Sequence, residues 1–362
     1  MVFRGWKLSI GLALILVLGK GDILFGWARH NLLTQIILED PPAWVKEFGR
    51  VQVNRSTYEI NSLNPKFKLI YTIPEESRYP FLPPEFVSYA RNPDRKYGFQ
   101  GTPVGATFSA LQILVDFADE PDWDMDKDAE TGQAVDFMGG SQGYRHMYYP
   151  AGTFHIPNPF MPQGKAPERA ELFYEYAREA FSQGDYYWGF RFLSRAIHYF
   201  EDLANPFHTV QLSTKFIMKE DFFQGTIQTT KNYHFAYEDY VAFLMAQAKR
   251  DKKGQARLLK SIKRATAKKM ENSRVAAQDL AGFSNREGAE LLDLSFSFFG
   301  EEFRSDRKRY LNTGKIKKLD QGPEEEKVLA ITEKMLAEMS AVVKGFLEMA
   351  GKELVPRTGS GN

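Results

Sequence analysis

Residues 186–210, YYWGFRFLSRAIHYFEDLANPFHTV, combine a strong helical pattern with a cluster of histidine and carboxylate side chains. Apolar residues recur at the three- and four-residue intervals of an α-helix, and Pro206 is expected to end that helix. His198 and Asp202 lie four residues apart, so on a helix their side chains share one face and can converge on one ion. His208 follows in the expected turn. This segment therefore predicts both a helical fold and a ligand-bearing helix within it.

Similar periodicity along the rest of the chain predicts an all-α fold. We expect helices at 107–117, 168–183, 186–204, 229–250, 255–280, 286–304 and 325–350. Alternating apolar residues at 51–53 and 67–71 predict a small irregular or hairpin element inside a proline- and aromatic-rich insertion, 41–105. The prediction is one multi-helix domain over 27–352 that contains this insertion, followed by a disordered tail at 353–362.

Composition limits the kinds of site that the chain can build. The 362 residues carry 47 Lys+Arg and 46 Asp+Glu, with 43% hydrophobic residues, which is typical of an ordinary folded protein. The near-neutral balance argues against a protein coated in positive charge for nucleic acid, although it permits a local basic patch. The absence of cysteine excludes disulfide scaffolds, thiolate zinc sites and cysteine nucleophiles. Any metal ion must therefore be held by nitrogen and oxygen.

The amino terminus resembles an export signal. Arg4 and Lys7 precede the apolar run at 8–18. This run is shorter than the roughly 20 residues that span a bilayer, but it suits a signal-peptide core of about 7–15 residues. We assign 1–26 to a signal peptide or an uncleaved membrane anchor, and we expect the protein to be secreted or held in the periplasm or cell envelope.

A second histidine–carboxylate pair follows the first. His234 and Glu238 are again four residues apart on a predicted helix. One such pair is more often a surface pair than a metal site, but two pairs with His208 between them favour metal binding. Imidazole and carboxylate ligands without sulfur suit zinc in a hydrolytic site.

The pattern His198-x3-Asp202-x5-His208, then His234-x3-Glu238, resembles the core of the trinuclear zinc phospholipases C and of the related zinc-dependent single-strand nucleases. This resemblance implies nine ligand groups for three zinc ions. The implied metal ligands are Trp27, His30, Asp119, His146, His198, Asp202, His208, His234 and Glu238. Five of the six histidines in the chain fall on these positions.

The resemblance places the upstream ligands by their context. Trp27 would bind through its α-amine and carbonyl if cleavage exposes it, and His30 follows directly. Asp119, within Phe117-Ala-Asp119-Glu-Pro, is the best match to an aspartate in an Ala-Asp-x-x-x-Pro-like turn, with Asp116 and Asp122 as less favoured substitutes. His146 precedes an aromatic–proline stretch, as the implied histidine does in the family. In the implied arrangement, the first ion is bound by Asp119, His146, His198 and Asp202. Asp202 also bridges to a second ion, which is bound by Trp27 and His30. The third ion is bound by His208, His234 and Glu238.

The activity that the resemblance implies is phosphodiester hydrolysis. Clustered zinc ions would neutralise charge on the phosphate and activate a water molecule, with Asp119 as the catalytic residue that takes the proton. A phospholipase C that releases diacylglycerol and a phosphorylated head group at a membrane surface is the leading interpretation. Alternatives are a nuclease for single-stranded DNA or RNA, another phosphoesterase, and a non-enzymatic envelope protein with a structural or degenerate zinc site. The basic stretch 249–269 suits an anionic membrane or a nucleic-acid backbone, although most such stretches are solvated helix faces.

Overall fold

The computed structural model describes residues 30–53, 105, 107–123, 142–150, 161–210, 224–250, 257–316, 318–319 and 322–355. Across these residues the chain forms thirteen α-helices and two short two-stranded sheets, which confirms the predicted, largely all-α fold. The helices are α1 (His30–Ile37), α2 (Ala43–Phe48), α3 (Ala110–Asp116), α4 (Gln142–His146), α5 (Ala166–Ser182), α6 (Tyr186–Leu203), α7 (Pro206–Thr209), α8 (Gln224–Arg250), α9 (Arg257–Arg264), α10 (Ser273–Glu287), α11 (Ala289–Phe299), α12 (Thr313–Ile316) and α13 (Pro323–Leu354). The strands are β1 (Arg50–Gln52), β2 (Thr107–Ser109), β3 (Tyr148–Tyr149) and β4 (Gln163–Gly164), and 3₁₀ turns cover Glu120–Trp123 and Glu301–Phe303.

Helix α6 lies at the centre of the fold. Every residue from Tyr187 to Leu203 is buried, because α1, α3, α5, α10 and α13 all pack around this helix. Asp185 caps its amino terminus by accepting a hydrogen bond from the Trp188 backbone nitrogen at 3.3 Å. Polar side chains on α6 therefore lie inside the protein and need partners there.

The long helix α13 packs against α6, α9, α10 and α11. Its Phe346 ring packs against Phe200 of α6 at 5.0 Å and against Tyr174 of α5 at 5.3 Å between centroids. One cluster of buried apolar side chains runs from Leu32 to Leu354. The helix extends to Leu354, so residues 353 and 354, which we assigned to the disordered tail, are helical. The rest of that tail, 356–362, lies outside the described residues.

The predicted helix at 107–117 begins three residues late. Residues 107–109 instead form β2, which pairs antiparallel with β1 through Val51 and Phe108. The side chain of Ser109 then accepts a hydrogen bond from the Gln112 nitrogen and caps α3. The apolar alternation at 51–53 is thus a real strand, but its described partner is β2, and the expected partner at 67–71 lies outside the described residues.

Two other predicted helices are each divided in two. The segment predicted as 255–280 contains α9 and α10, with an extended stretch between them whose Lys268 nitrogen donates to the Ala341 carbonyl of α13. The side chain of Asn272 then caps α10. The segment predicted as 286–304 is interrupted at Gly288, and α11 ends at Gly300, whose φ of 94° favours glycine.

The proposed signal or anchor, 1–26, lies outside the described residues. Among the helices that the structure does describe, none has both the length and the apolar character required to cross a membrane.

Candidate metal centre

Helix α6 brings His198 and Asp202 to the centre of the molecule, where neither side chain is exposed to solvent. Their spacing of four residues places His198 Nε2 3.2 Å from Asp202 Oδ2. Asp202 is also surrounded by imidazoles from other elements. Its Oδ2 lies 2.8 Å from Nδ1 of His146, at the end of α4, and its Oδ1 lies 3.5 Å from Nε2 of His30, at the start of α1.

His146, His198 and Asp202 form a first group that is able to hold a metal ion. Their candidate donor atoms lie within 4.8 Å of one another. The His146 Nδ1 and His198 Nε2 atoms are 3.0 Å apart and both face the same carboxylate oxygen. Two imidazoles and one carboxylate converging at this distance match the ligand types of a nitrogen–oxygen zinc site.

His30, Asp122 and His198 form a second group that shares His198 with the first. Asp122 comes from the 3₁₀ turn, and its two oxygens face different histidines: Oδ2 lies 3.8 Å from His30 Nε2, and Oδ1 lies 3.7 Å from His198 Nε2. Asp122 Oδ1 is also 3.8 Å from His146 Nδ1. Asp122 therefore lies close to histidines of both groups.

The third group is His208, His234 and Glu238. His208 lies on the short helix α7, and the other two lie on α8 at a four-residue spacing. The Nε2 atoms of His208 and His234 are 3.0 Å apart, and Glu238 Oε1 forms a close contact with His234 Nε2. Asn205 donates from Nδ2 to Glu238 Oε1 at 3.0 Å and accepts from the Phe207 nitrogen to cap α7, so it connects the two helices of this group.

Hydrogen bonds at Nδ1 fix the orientation of three of these imidazoles. His30 Nδ1 donates to Glu201 Oε2 at 2.7 Å, His198 Nδ1 donates to the Ala118 carbonyl at 2.8 Å, and His208 Nδ1 donates to the His146 carbonyl at 2.7 Å. A neutral imidazole that donates from Nδ1 presents an Nε2 lone pair. These lone pairs point at carboxylate oxygens or at another ring nitrogen, an arrangement that a cation between them would stabilise.

Two of the inward-facing atoms make no hydrogen bond within the described structure. These atoms are His30 Nε2 and Asp202 Oδ1, which are fully buried. An unsatisfied buried polar atom is costly, so a pair of them facing each other requires an explanation. Coordination to a shared ion would satisfy both, and the residues present therefore fit a metal site.

The charge balance of the centre leads to the same conclusion. Burial favours the neutral form of Asp202, but the surrounding imidazoles outweigh burial and hold the pKa of Asp202 well below its ordinary value. Burial likewise opposes protonation of His30, yet the nearby carboxylates of Asp202 and Glu201 hold its pKa well above its ordinary value. Burial raises the pKa of Asp122 and lowers that of His208. Protons and metal ions therefore compete for the same lone pairs in this cavity.

The structure brings together seven of the nine predicted ligands. They are His30, His146, His198, Asp202, His208, His234 and Glu238. Trp27 lies outside the described residues. Asp119 Oδ1 accepts a hydrogen bond from the Asn31 backbone nitrogen at 2.8 Å. From this part of the chain, the carboxylate that belongs to a candidate metal group is instead that of Asp122, which the sequence offered as a less favoured substitute.

Sequence reasoning missed the residues that support the ligands. Glu201 is fully buried and accepts hydrogen bonds from His30 Nδ1 and, at 2.8 Å, from the Thr34 hydroxyl. Its position on a strongly apolar helix, beside Asp202, was the available signal, because an acid that is buried needs a partner. Glu120, the first residue of the 3₁₀ turn, is also buried.

The basic stretch 249–269 is largely neutralised where it is described. Arg257 pairs with Glu326 and Glu333 of α13, with nitrogen–oxygen distances of 2.6 Å for each pair. Lys263 pairs with Glu39 at 2.7 Å, and Lys268 forms a close pair with Glu338. These contacts attach α9 and the extended stretch after it to neighbouring parts of the fold.

Comparison of the chain with protein-family models and with curated protein sequences finds no match.

Proposed function

We propose that the chain is a zinc-dependent phosphodiester hydrolase with three zinc ions in the buried centre. His146, His198 and Asp202 would hold one ion together with Asp122, and Asp202 would also serve a second ion at His30. His208, His234 and Glu238 would hold the third. The observation that carries this proposal is the set of Nδ1 hydrogen bonds that turn Nε2 of His30 and of His198 toward buried carboxylates and Nε2 of His208 toward His234.

The donor set suits hydrolysis at phosphorus. When bound, zinc ions supply charge neutralisation for phosphate oxygens and lower the pKa of a water molecule from 15.7 toward about 7. The chain's own contribution is to orient the imidazoles through Glu201 and two backbone carbonyls. The proton-accepting role that the resemblance gave to Asp119 passes in this proposal to Asp122, whose Oδ1 faces both His146 and His198.

A phospholipid is the substrate class that we propose. The apolar amino-terminal run and the aromatic-rich insertion support an exported enzyme that meets lipid. The nuclease alternative would draw on the basic stretch 249–269, in which Arg257, Lys263 and Lys268 are already paired with carboxylates.

Purified full-length protein given phosphatidylcholine or phosphatidylethanolamine vesicles tests the proposal. We expect release of diacylglycerol and the phosphorylated head group, with complete loss of release after chelation and recovery on addition of zinc. Digestion of single-stranded DNA or RNA with untouched lipid would support the nuclease instead. Zinc uptake with neither activity would leave a structural site. Amino-terminal sequencing of exported protein decides whether Trp27 becomes the first residue and offers its amine.

A further inference from the structure

A buried ion-pair network lies directly beside the turn that carries Asp122. Glu120, the first residue of that turn, is 1% exposed. Its carboxylate forms a close pair with Arg191 Nη2 and accepts from Arg195 Nε at 2.8 Å, and both arginines lie on α6. One acid therefore connects the turn to two successive turns of the central helix.

The two arginines are held in the interior of the protein. Arg191 and Arg195 are 2% and 3% exposed. The guanidinium of Arg191 lies 4.0 Å from the ring centroid of Phe117 and 4.5 Å from that of Trp188, and it donates to the Tyr187 hydroxyl at 3.1 Å. Side chains enclosed in this way are not free to reach a substrate phosphate. Their role is therefore inside the fold.

The same side of α6 serves the network and the metal centre. Positions 191, 195, 198 and 202 follow one another at intervals of four, three and four residues, which places them along one face of the helix. Two further contacts from α6 reach the segment before the turn: Ser194 Oγ donates to the Leu114 carbonyl at 2.6 Å, and His198 Nδ1 donates to the Ala118 carbonyl. The segment 114–120 is thus attached to α6 at three points along the helix: through Leu114, Ala118 and Glu120.

We propose that Glu120 is a positioning residue, which uses Arg191 and Arg195 to fix the 3₁₀ turn so that the Asp122 carboxylate faces His30 and His198. This inference rests on the proposed zinc centre for its functional meaning. Outer partners of metal ligands typically change metal affinity by about 10–100-fold when they are removed. Glu120→Gln is expected to weaken zinc binding at the groups that include Asp122 by about that factor. The group of His208, His234 and Glu238 belongs to other elements and is expected to keep its affinity.

The experiment uses two readouts on the full chain. Zinc titration against a chromophoric chelator measures the affinity of each class of site. Hydrogen–deuterium exchange in chelator measures protection of residues 117–123 without any metal. Glu120→Gln is compared with Glu120→Gln/Arg195→Gln, which removes the excess buried positive charge if the single variant folds poorly. Val343→Ala, a buried residue of α13, is the matched control for general loss of stability.

The expected result is faster exchange at 117–123 and weaker binding of the affected zinc ions in both Glu120 variants, with neither change concentrated there in Val343→Ala. Wild-type exchange at 117–123 and wild-type zinc affinities in the Glu120 variants would overturn the inference. Wild-type protein that takes up no zinc would overturn the proposed function, while the exchange experiment would still decide whether Glu120 anchors the turn. Wild-type protein that binds zinc but hydrolyses no diester would overturn only the proposed activity.

Discussion

Replacing Asp202 with asparagine should damage the proposed centre more than any other single change. The two carboxylate oxygens of Asp202 face different histidines. Oδ2 lies 2.8 Å from His146 Nδ1 and 3.2 Å from His198 Nε2, whereas Oδ1 lies 3.5 Å from His30 Nε2. An asparagine of the same size has only one oxygen. Whichever way its amide turns, one side of the bridge presents an N–H₂ group that donates hydrogen bonds and cannot bind a cation.

The magnitude follows from the loss of a direct ligand. Removing an outer partner costs about 10–100-fold in metal affinity, and a bridging carboxylate should exceed the upper end of that range. A loss of more than about 100-fold corresponds to more than about 2.7 kcal/mol of binding free energy. The amide would also occupy the lone pair of a neighbouring imidazole. We therefore expect at least one of three zinc ions to be lost and diester hydrolysis to fall by more than two orders of magnitude.

Elemental analysis after dialysis measures the number of bound ions, and diacylglycerol release from phosphatidylcholine vesicles measures activity. Asp279→Asn is the matched control, because it makes the same chemical change at an exposed position of α10. Circular dichroism in chelator checks that both variants fold. Three ions and full activity in Asp202→Asn would refute the bridging role, and with it the proposed arrangement of the centre.

Three further outcomes are expected. Chelation should lower the melting temperature, because each site that is saturated at 100 times its dissociation constant contributes about 2.7 kcal/mol to the folded state; a calorimetric melt unchanged by chelator would contradict this. Gly288→Ala should destabilise the fold by about 1–3 kcal/mol and weaken zinc binding at His208. The reason is that a Cβ at position 288 would lie 2.4 Å from Cγ of Pro206 on α7. Urea unfolding measures the loss of stability, and zinc titration measures the loss of affinity. Lys263→Ala should change the free energy of unfolding by less than about 1 kcal/mol and leave binding to anionic vesicles unaltered, because the Lys263 ammonium is paired with Glu39. Reduced co-sedimentation of the variant with vesicles would show instead that the ion pair opens at a membrane.

The helices were predictable where the apolar pattern of the sequence is long and regular. Helices α5, α6, α8 and α13 lie close to their expected bounds because their apolar spacing is long and regular. Boundaries set by contacts with distant residues were not predictable. The break between α9 and α10 depends on a hydrogen bond from Lys268 to Ala341, and the start of α3 depends on strand pairing with β1.

The ligand candidates on helices were predictable for a related reason. A spacing of four residues on a regular helix fixes the relative position of two side chains, so His198 with Asp202 and His234 with Glu238 need no tertiary information. The choice between Asp119 and Asp122 as the candidate ligand does need tertiary information. The two residues lie three positions apart in a turn, and the structure directs one toward the backbone of Asn31 and the other toward His30 and His198.

The orientation of the candidate ligands depends on the groups that accept hydrogen bonds from their Nδ1 atoms. Glu201 follows Phe200 and precedes Asp202, so the helix directs it to a different side from Asp202, toward His30 Nδ1. His30 thus lies between two acids, one that fixes its tautomer and one that it faces with its lone pair. The backbone carbonyls of Ala118 and His146 fix His198 and His208 in the same way. Two of these three hydrogen-bond acceptors are main-chain carbonyls. The orientation of the imidazoles therefore depends on how α3 and α4 are placed against α6 and α7. Substitutions at helix contacts such as Gly288 should for this reason alter zinc binding without changing a ligand.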